Sequence, residues 1–135
     1  MKAMIYLDTN IFVYSVINNK EPGEKCRELI KELINNEETM ATSTITWDEF
    51  VYAIWKKEGK ELAIREGKKF LQFPNMIFLN TNKEILNNAQ ELMEKYNLKP
   101  RDAIHASTAI MSKCTHLASD DTDFDKIKEL KRKKI

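Results

Sequence analysis

The sequence predicts an α/β fold in which a mainly parallel central sheet of four to five strands is flanked by helices on both faces. Short apolar runs alternate along the chain with longer segments whose apolar residues recur at helical spacing. The length of 135 residues suffices for one domain with a real core but not for two domains. We therefore expect one three-layer domain over residues 1–135.

Apolar runs and turn residues place the elements of the first half of the chain. A short apolar run predicts a strand over 3–8, and the amphipathic residues after it predict a short helix over 10–17. Pro22 suits the first turn of a second helix, whose apolar residues keep helical spacing up to Asn35-Asn36. A further short run at 39–42 predicts the second strand.

The second half of the chain alternates in the same way. Gly59 and Pro74 are residues that interrupt helices, and they bound the helical patterns around them. The predicted elements are helices at 46–58 and 60–72, a strand at 76–79, helices from 85 to 96 and from Pro100 to 113, and a strand at 116–118. Residues 127–135 indicate only a weak last strand, which leaves four or five strands in the sheet.

Composition limits the class of protein. Lys and Arg number 22 against 21 Asp and Glu, so a nucleic-acid function would need basic residues gathered on one face. Lys56 lies in one such basic stretch, for which a solvated helix face is the alternative. Two isolated cysteines, Cys26 and Cys114, are typical of a reducing cytoplasm. No apolar run approaches the length of a membrane span, so we expect a cytoplasmic protein without a membrane partner.

Acidic residues stand where predicted strands end or predicted helices begin. Asp8 ends the first strand, and Asp121 follows the last clear strand, with Asp123 close behind. Open α/β sheets bind ligands at the edge formed by the carboxyl ends of their strands. Glu49 and Asp102 lie in the first turns of two predicted helices. Converging carboxylates repel one another unless a divalent cation joins them, and a cation held by carboxylates indicates phosphate chemistry.

Each of these acids also has a simpler explanation. Asp8 could cap the helix that begins near Asn10. Glu49 stands three residues after Thr46, which is the spacing of a capping box. Asp102 could complement the dipole of its helix, and a plain acidic turn would account for the last loop.

Other phosphate-binding and hydrolytic motifs are excluded. The acidic loop at 120–125 is not the start of an EF-hand, because Lys126 and Arg132 stand where glycine and glutamate are required. The sequence contains no GxxxxGK[ST], GxSxG or HExxH pattern, and its three glycines are too few for a GxGxxG site. Asn10 stands where a haloacid-dehalogenase-type phosphatase has its second aspartate.

Four blocks of the sequence, in their order and intervals, resemble the PIN domain and most of all the small VapC-type toxin ribonucleases. The blocks are Tyr6-Leu7-Asp8-Thr9-Asn10, Thr44-Ile45-Thr46-Trp47-Asp48-Glu49-Phe50, Asp102-Ala103-Ile104-His105-Ala106 and Ser119-Asp120-Asp121-Thr122-Asp123-Phe124. The resemblance covers nearly the whole chain. It implies that the catalytic and metal-binding acids are Asp8, Glu49, Asp102 and Asp121, with Asp123 as an additional metal-binding acid. Ser119 stands where the family usually has threonine.

The resemblance implies a divalent-metal-dependent endoribonuclease that uses Mg²⁺ or Mn²⁺ to hydrolyse RNA phosphodiester bonds. It further implies the toxin of a toxin–antitoxin pair, with an RNA substrate, a homodimer and a small antitoxin protein as partners. Thr9, Asn10 and Ser119 are expected to orient the carboxylates by hydrogen bonds, and Lys56 to position the RNA backbone. The alternatives are a housekeeping PIN nuclease that processes rRNA or tRNA and a non-catalytic PIN-like module that binds RNA or protein.

Three aromatic residues lie in the helix predicted over 46–58. These residues are Trp47, Tyr52 and Trp55. Either burial in the core or a place in a protein interface would explain such a stripe, and the oligomeric state in solution distinguishes the two.

Overall fold

A computed structural model describes residues 3–135, in which five strands form one sheet. Residues 1 and 2 of the predicted domain lie outside this description. The strands are β1 Met4–Leu7, β2 Thr39–Ser43, β3 Met76–Leu79, β4 His116–Ala118 and β5 Lys131–Lys133. Their order across the sheet is β3-β2-β1-β4-β5, and every neighbouring pair is parallel. The predicted parallel α/β sheet is confirmed, and β5 supplies the fifth strand that the sequence indicated only weakly.

Six α-helices and one 3₁₀ helix connect the strands within the described part of the chain. They are α1 Thr9–Ile17, α2 Glu21–Asn35, α3 Thr44–Glu58, α4 Lys60–Leu71, α5 Lys83–Tyr96, α6 Pro100–Met111 and the 3₁₀ helix Thr122–Lys126. Gly59 separates α3 from α4 with a φ of 97°, a conformation that favours glycine. Between residues 3 and 135, no helix is long and apolar enough to cross a membrane.

Two hydrophobic cores lie on opposite faces of the sheet. Successive side chains of a strand point to opposite faces, so neighbouring residues of β1 belong to different cores. Leu7 packs in the first core with aromatic rings of α1, α3 and α4, among them Phe12, Phe50 and Phe70. Tyr6 packs in the second core with residues of α5 and α6. Helices therefore cover both faces, which confirms the predicted three layers.

The parallel strands deliver the loops that follow them to one edge of the sheet. The pairing of β1 with β4 continues one residue beyond the strands, because the Asp8 N–H donates to the Ala118 carbonyl at 3.1 Å. This bond places the start of α1 beside the loop that leads into the 3₁₀ helix. Since β2 also runs parallel to β1, the start of α3 comes to the same edge.

Candidate active site

A cleft of about 300 Å³ opens at this edge of the sheet. Its wall consists of Asp8, Thr9, Asn10, Val13, Glu49, Tyr52, Ala53, Lys56, Arg101, Asp102, His105 and Asp121. Of the residues that the sequence proposed for the site, only Ser119 and Asp123 are outside this wall, and both hydrogen bond to residues within it. The fold therefore brings together positions that are far apart in the sequence.

Asp8 follows β1 and is almost fully buried, with 6% of its surface exposed. Its Oδ1 accepts a hydrogen bond from the Thr9 N–H at 2.8 Å, and its Oδ2 accepts one from the Ser119 hydroxyl at 2.8 Å. Burial raises the pKa of Asp8, against the opposing effects of His105 and these two hydrogen bonds. Asp8 does cap α1, and the same residue lines the cleft, so the two explanations for it are compatible.

Glu49 lies in α3 and faces the same cleft. The capping-box interpretation with Thr46 is wrong, because Ser43 is the residue that caps α3. The Glu49 Oε1 instead accepts hydrogen bonds from the Thr9 hydroxyl at 2.9 Å and from His105 Nε2 at 2.7 Å. Burial opposes the ionised form of Glu49, but these hydrogen bonds and the charge of His105 lower its pKa.

His105, which hydrogen bonds to Glu49, is only 1% exposed. Its Nδ1 lies 2.5 Å from the Tyr6 hydroxyl, which also accepts a hydrogen bond from the Ser43 N–H at 3.1 Å. Burial works against the charged imidazole, yet the hydrogen bond to Glu49 and the charges of Asp8 and Glu49 raise the pKa of His105. A continuous hydrogen-bonded chain therefore runs from the backbone of the sheet to the Glu49 carboxylate.

Sequence reasoning did not single out Tyr6 or Arg101. Tyr6 stands two residues before Asp8, and residues two apart on a strand point to the same face. The two-residue spacing from Asp8 could therefore have identified Tyr6 from the sequence. Arg101 precedes Asp102 in α6, and its Nε lies 3.8 Å from the Glu49 Oε2. The Arg101 side chain is 73% exposed, so this ion pair is weak and the guanidinium is accessible to other partners.

Three further carboxylates converge at the cleft, two of them in its wall and the third, Asp123, next to them. Asp102, Asp121 and Asp123 each present an oxygen atom within 4.8 Å of the others. The Asp121 Oδ1 accepts a hydrogen bond from the Asp123 N–H at 2.9 Å, and the Asp121 N–H donates to the Ser119 hydroxyl at 3.0 Å. Burial, followed by the charges of Asp121 and Asp8, raises the pKa of Asp102 to about 6. These oxygen donors fit a hard divalent cation, which would offset their repulsion.

The remaining acids of the loop have different surroundings. Asp120 lines a separate cavity of about 200 Å³ with Tyr14, and after burial its charge raises the pKa of the Tyr14 hydroxyl. Asp125 forms a two-pronged ion pair with Arg132, whose Nε lies 2.8 Å from the Asp125 Oδ1. The adjacent acids Asp120 and Asp121 therefore point to different sites.

The aromatic residues of α3 lie at the surface. Trp47 is 41% exposed, Tyr52 is 63% exposed and Trp55 is 48% exposed. The interpretation of the stripe as buried core is therefore wrong, while its place in an interface stays a prediction. Tyr52 belongs to the wall of the acidic cleft, together with Lys56 one turn further along α3.

The family model of the PIN domain matches residues 5–130 of this chain. The curated relative Ribonuclease VapC6 of Methanocaldococcus jannaschii is 25% identical over 144 aligned positions, which cover 91% of this chain and 92% of the relative.

Solved structures share the fold. VapBC2 of Rickettsia felis bound to a promoter DNA fragment superposes with a TM-score of 0.76 at 24% identity, over 97% of this chain and 98% of that one. A toxin–antitoxin complex of Klebsiella pneumoniae superposes with a TM-score of 0.71 at 22% identity, over 93% and 94%. At these identities the structural similarity describes the fold alone.

Proposed function

We propose that this chain, which belongs to the PIN domain family, is a divalent-metal-dependent endoribonuclease and the toxin of a toxin–antitoxin pair. The observation that carries the proposal is the convergence of Asp102, Asp121 and Asp123 at the cleft whose wall contains Asp8, Glu49, Asp102 and Asp121. The similarity to a curated ribonuclease over nearly the full length of both chains supports an RNA substrate.

The acids divide into two roles in this proposal. Asp8, Asp102 and Asp121 would hold Mg²⁺ or Mn²⁺, with Asp123 as a further ligand and Glu49 available to a second ion or to the attacking water. Such an ion lowers the pKa of bound water and stabilises negative charge on the phosphate in the transition state.

The chain's own residues would position the reactants. Glu49, with its lowered pKa, is ionised at neutral pH and can accept a hydrogen bond from the water that attacks phosphorus. His105 and Thr9 keep that carboxylate in place through Oε1. In the hydrolysis itself, a bond forms between the water oxygen and phosphorus while the water gives up a proton to Glu49, the bond to the leaving oxygen breaks, and that oxygen takes up a proton from solvent. Lys56 and Arg101 provide positive charge for the RNA backbone.

Cleavage of a mixed pool of single-stranded and transfer RNA tests the proposal. We expect wild type to cut with Mn²⁺ or Mg²⁺ and to stop in EDTA, and Asp8→Asn to be inactive. Because asparagine also caps helices, Asp8→Asn should melt close to wild type. Asp125→Asn is the matched control, since Asp125 pairs with Arg132 outside the cleft. Full activity of Asp8→Asn, or cutting in EDTA, would contradict the proposal.

A small antitoxin and a second copy of the chain are the protein partners that we propose, with the cytoplasm as the site of action. A solved structure of this fold is itself a toxin–antitoxin complex. Expression should arrest growth, and co-expression of a neighbouring small gene product should relieve the arrest. Growth without arrest would favour an RNA-processing role. Light scattering after size exclusion tests the homodimer, because a monomeric mass at micromolar concentration would contradict it.

A further inference from the structure

The acidic cleft continues into a second depression of about 420 Å³ between α1 and α3. The two share Val13, Ala53 and Lys56, so they form one continuous groove, here named the α1–α3 groove. Asn18 and Lys57 line the second depression but not the acidic cleft. The groove therefore leads away from the carboxylates along the surface of two helices.

Charge changes sign along the α1–α3 groove. The wall of the acidic cleft contains four carboxylates, whereas the second depression contains none and is lined by the exposed side chains of Lys56, which the two share, and Lys57. Neither lysine has an ion-pair partner among residues 3–135, so both ammonium groups are available to a ligand. Unpaired lysines along a groove that begins at a nuclease-type acidic centre fit the phosphates of a nucleic-acid strand.

Tyr52 lies between the acids and the lysines. It is on α3 one turn from both Glu49 and Lys56, and all three line the cleft. The side chain is 63% exposed, and its hydroxyl has no hydrogen-bond partner within the described residues. An exposed aromatic ring contributes little to folding but offers a flat surface on which a nucleobase can stack.

We propose that the α1–α3 groove binds an unpaired RNA strand, with Tyr52 stacking on a base beside the cleaved phosphate and Lys56 and Lys57 contacting the phosphates that follow. This inference rests on the proposed ribonuclease function. The seven residue-to-residue steps from Glu49 to Lys56 rise about 10 Å along the helix, which matches about three stacking steps of a nucleotide strand. Bases within a duplex already stack on their neighbours, so the site selects unpaired RNA.

Fluorescence anisotropy with a short labelled RNA that cannot form base pairs tests the inference. Every protein carries Asp102→Asn, so that the RNA is not cut. We expect Tyr52→Leu to weaken binding by about 10-fold, because leucine keeps apolar bulk but lacks an aromatic face. Tyr52→Phe keeps the ring and should bind within about twofold of the parent. Trp55→Leu removes an exposed ring of α3 outside the groove, and should have the same small effect as Tyr52→Phe.

The same strand annealed to its complement is the second probe, and it should bind more weakly than the unpaired strand and without dependence on Tyr52. Equal affinities of the parent and Tyr52→Leu, or preference for the duplex, would overturn the inference. A parent protein that binds neither RNA would also overturn it. Binding that depends on Tyr52, in a protein whose wild type never cuts RNA, would support the groove and count against the proposed nuclease.

Discussion

The cleft has two acidic sides that differ in how their charge is compensated. On one side, Asp8 and Glu49 are supplied with hydrogen-bond donors by the fold itself. On the other side, Asp102, Asp121 and Asp123 face one another at short range. The Glu49 pKa is lowered, whereas burial and neighbouring charges raise the Asp102 pKa to about 6.

The comparison indicates which side requires a cation. Thr9 and His105 donate to Glu49, and Ser119 donates to Asp8, so these two carboxylates are held in place without any ion. On the Asp102 side, the Asp123 N–H donates to the Asp121 Oδ1 and the Lys126 Nζ lies 3.4 Å from the Asp123 Oδ1. The described residues give the Asp102 carboxylate itself no hydrogen bond or ion pair, and burial and the charges of Asp121 and Asp8 raise its pKa. A divalent cation would therefore contribute most of its stabilisation on the Asp102 side.

The largest expected effect separates activity from stability. Asp102→Asn should lower cleavage by more than about 100-fold, because it removes a charged oxygen ligand from the proposed metal site. In EDTA the same change should raise the melting temperature by about 3 °C, because it removes a repelled charge. Asp125→Asn, measured in the same cleavage assay and melts, is the control. A destabilised and fully active Asp102→Asn protein would contradict the conclusion that the Asp102 side requires a cation.

On the side of Asp8 and Glu49, removal of a hydrogen-bond partner should lower the stability of the metal-free protein, not raise it. His105→Ala should lower the free energy of unfolding by about 2 to 4 kcal/mol, because it leaves a buried space and removes the donor to Glu49. Cleavage should fall by about 10- to 100-fold. Tyr6→Phe keeps the ring but takes the acceptor from the Ser43 N–H, and should cost about 1 to 2 kcal/mol. Urea denaturation measures the stability of both variants. A His105→Ala protein as stable as wild type would show that the His105 hydrogen bond does not stabilise this side of the cleft.

Ser119 links the two sides, since its hydroxyl donates to Asp8 and accepts from the Asp121 N–H. Ser119→Ala should therefore lower both stability, by about 1 kcal/mol, and cleavage, by about 10-fold. Ser119→Thr keeps the hydroxyl and should retain more activity than Ser119→Ala. Equal activity of the two variants would show that the hydroxyl does not orient the carboxylates. Parallel urea titrations and initial rates give the comparison.

The smallest expected effect is in the pH dependence of the metal-free protein. The folded-state pKa of Asp102, at about 6, is above its ordinary value of 3.8. Between these two pH values the folded protein therefore binds more protons than the unfolded chain. The contribution of Asp102 to stability is therefore greatest at low pH, and is lost as pH rises to about 6. Because this carboxyl is only half-buried, we expect a loss of about 1 kcal/mol.

Urea denaturation in EDTA across this pH range measures the effect. Subtracting the curve of Asp102→Asn from that of wild type isolates the contribution of Asp102, since the other titrating groups are common to both proteins. A difference that does not change with pH would contradict the raised pKa.

The sequence predicted most of the fold because apolar runs and breaking residues are local signals. Glu49 shows where local signals fail. Its distance from Thr46 matched a capping box, but Ser43 caps α3, and Glu49 has partners more than 30 residues away in the chain. Asp120 and Asp121 are adjacent and identical in type, so the sequence does not distinguish them. The turn into the 3₁₀ helix places Asp121 at the cleft and Asp120 at a different cavity. The weak last strand depended on pairing with β4, which no local pattern encodes.

A Mn²⁺ titration followed by thermal melting at neutral pH tests most directly whether the Asp102 side binds the cation. Saturating Mn²⁺ should raise the melting temperature of wild type and of Asp125→Asn alike, corresponding to about 2.7 kcal/mol at a hundredfold excess over the dissociation constant. Asp102→Asn should show little or no such rise. An equal rise in Asp102→Asn, or no rise in wild type, would contradict a metal site in which Asp102 is a ligand.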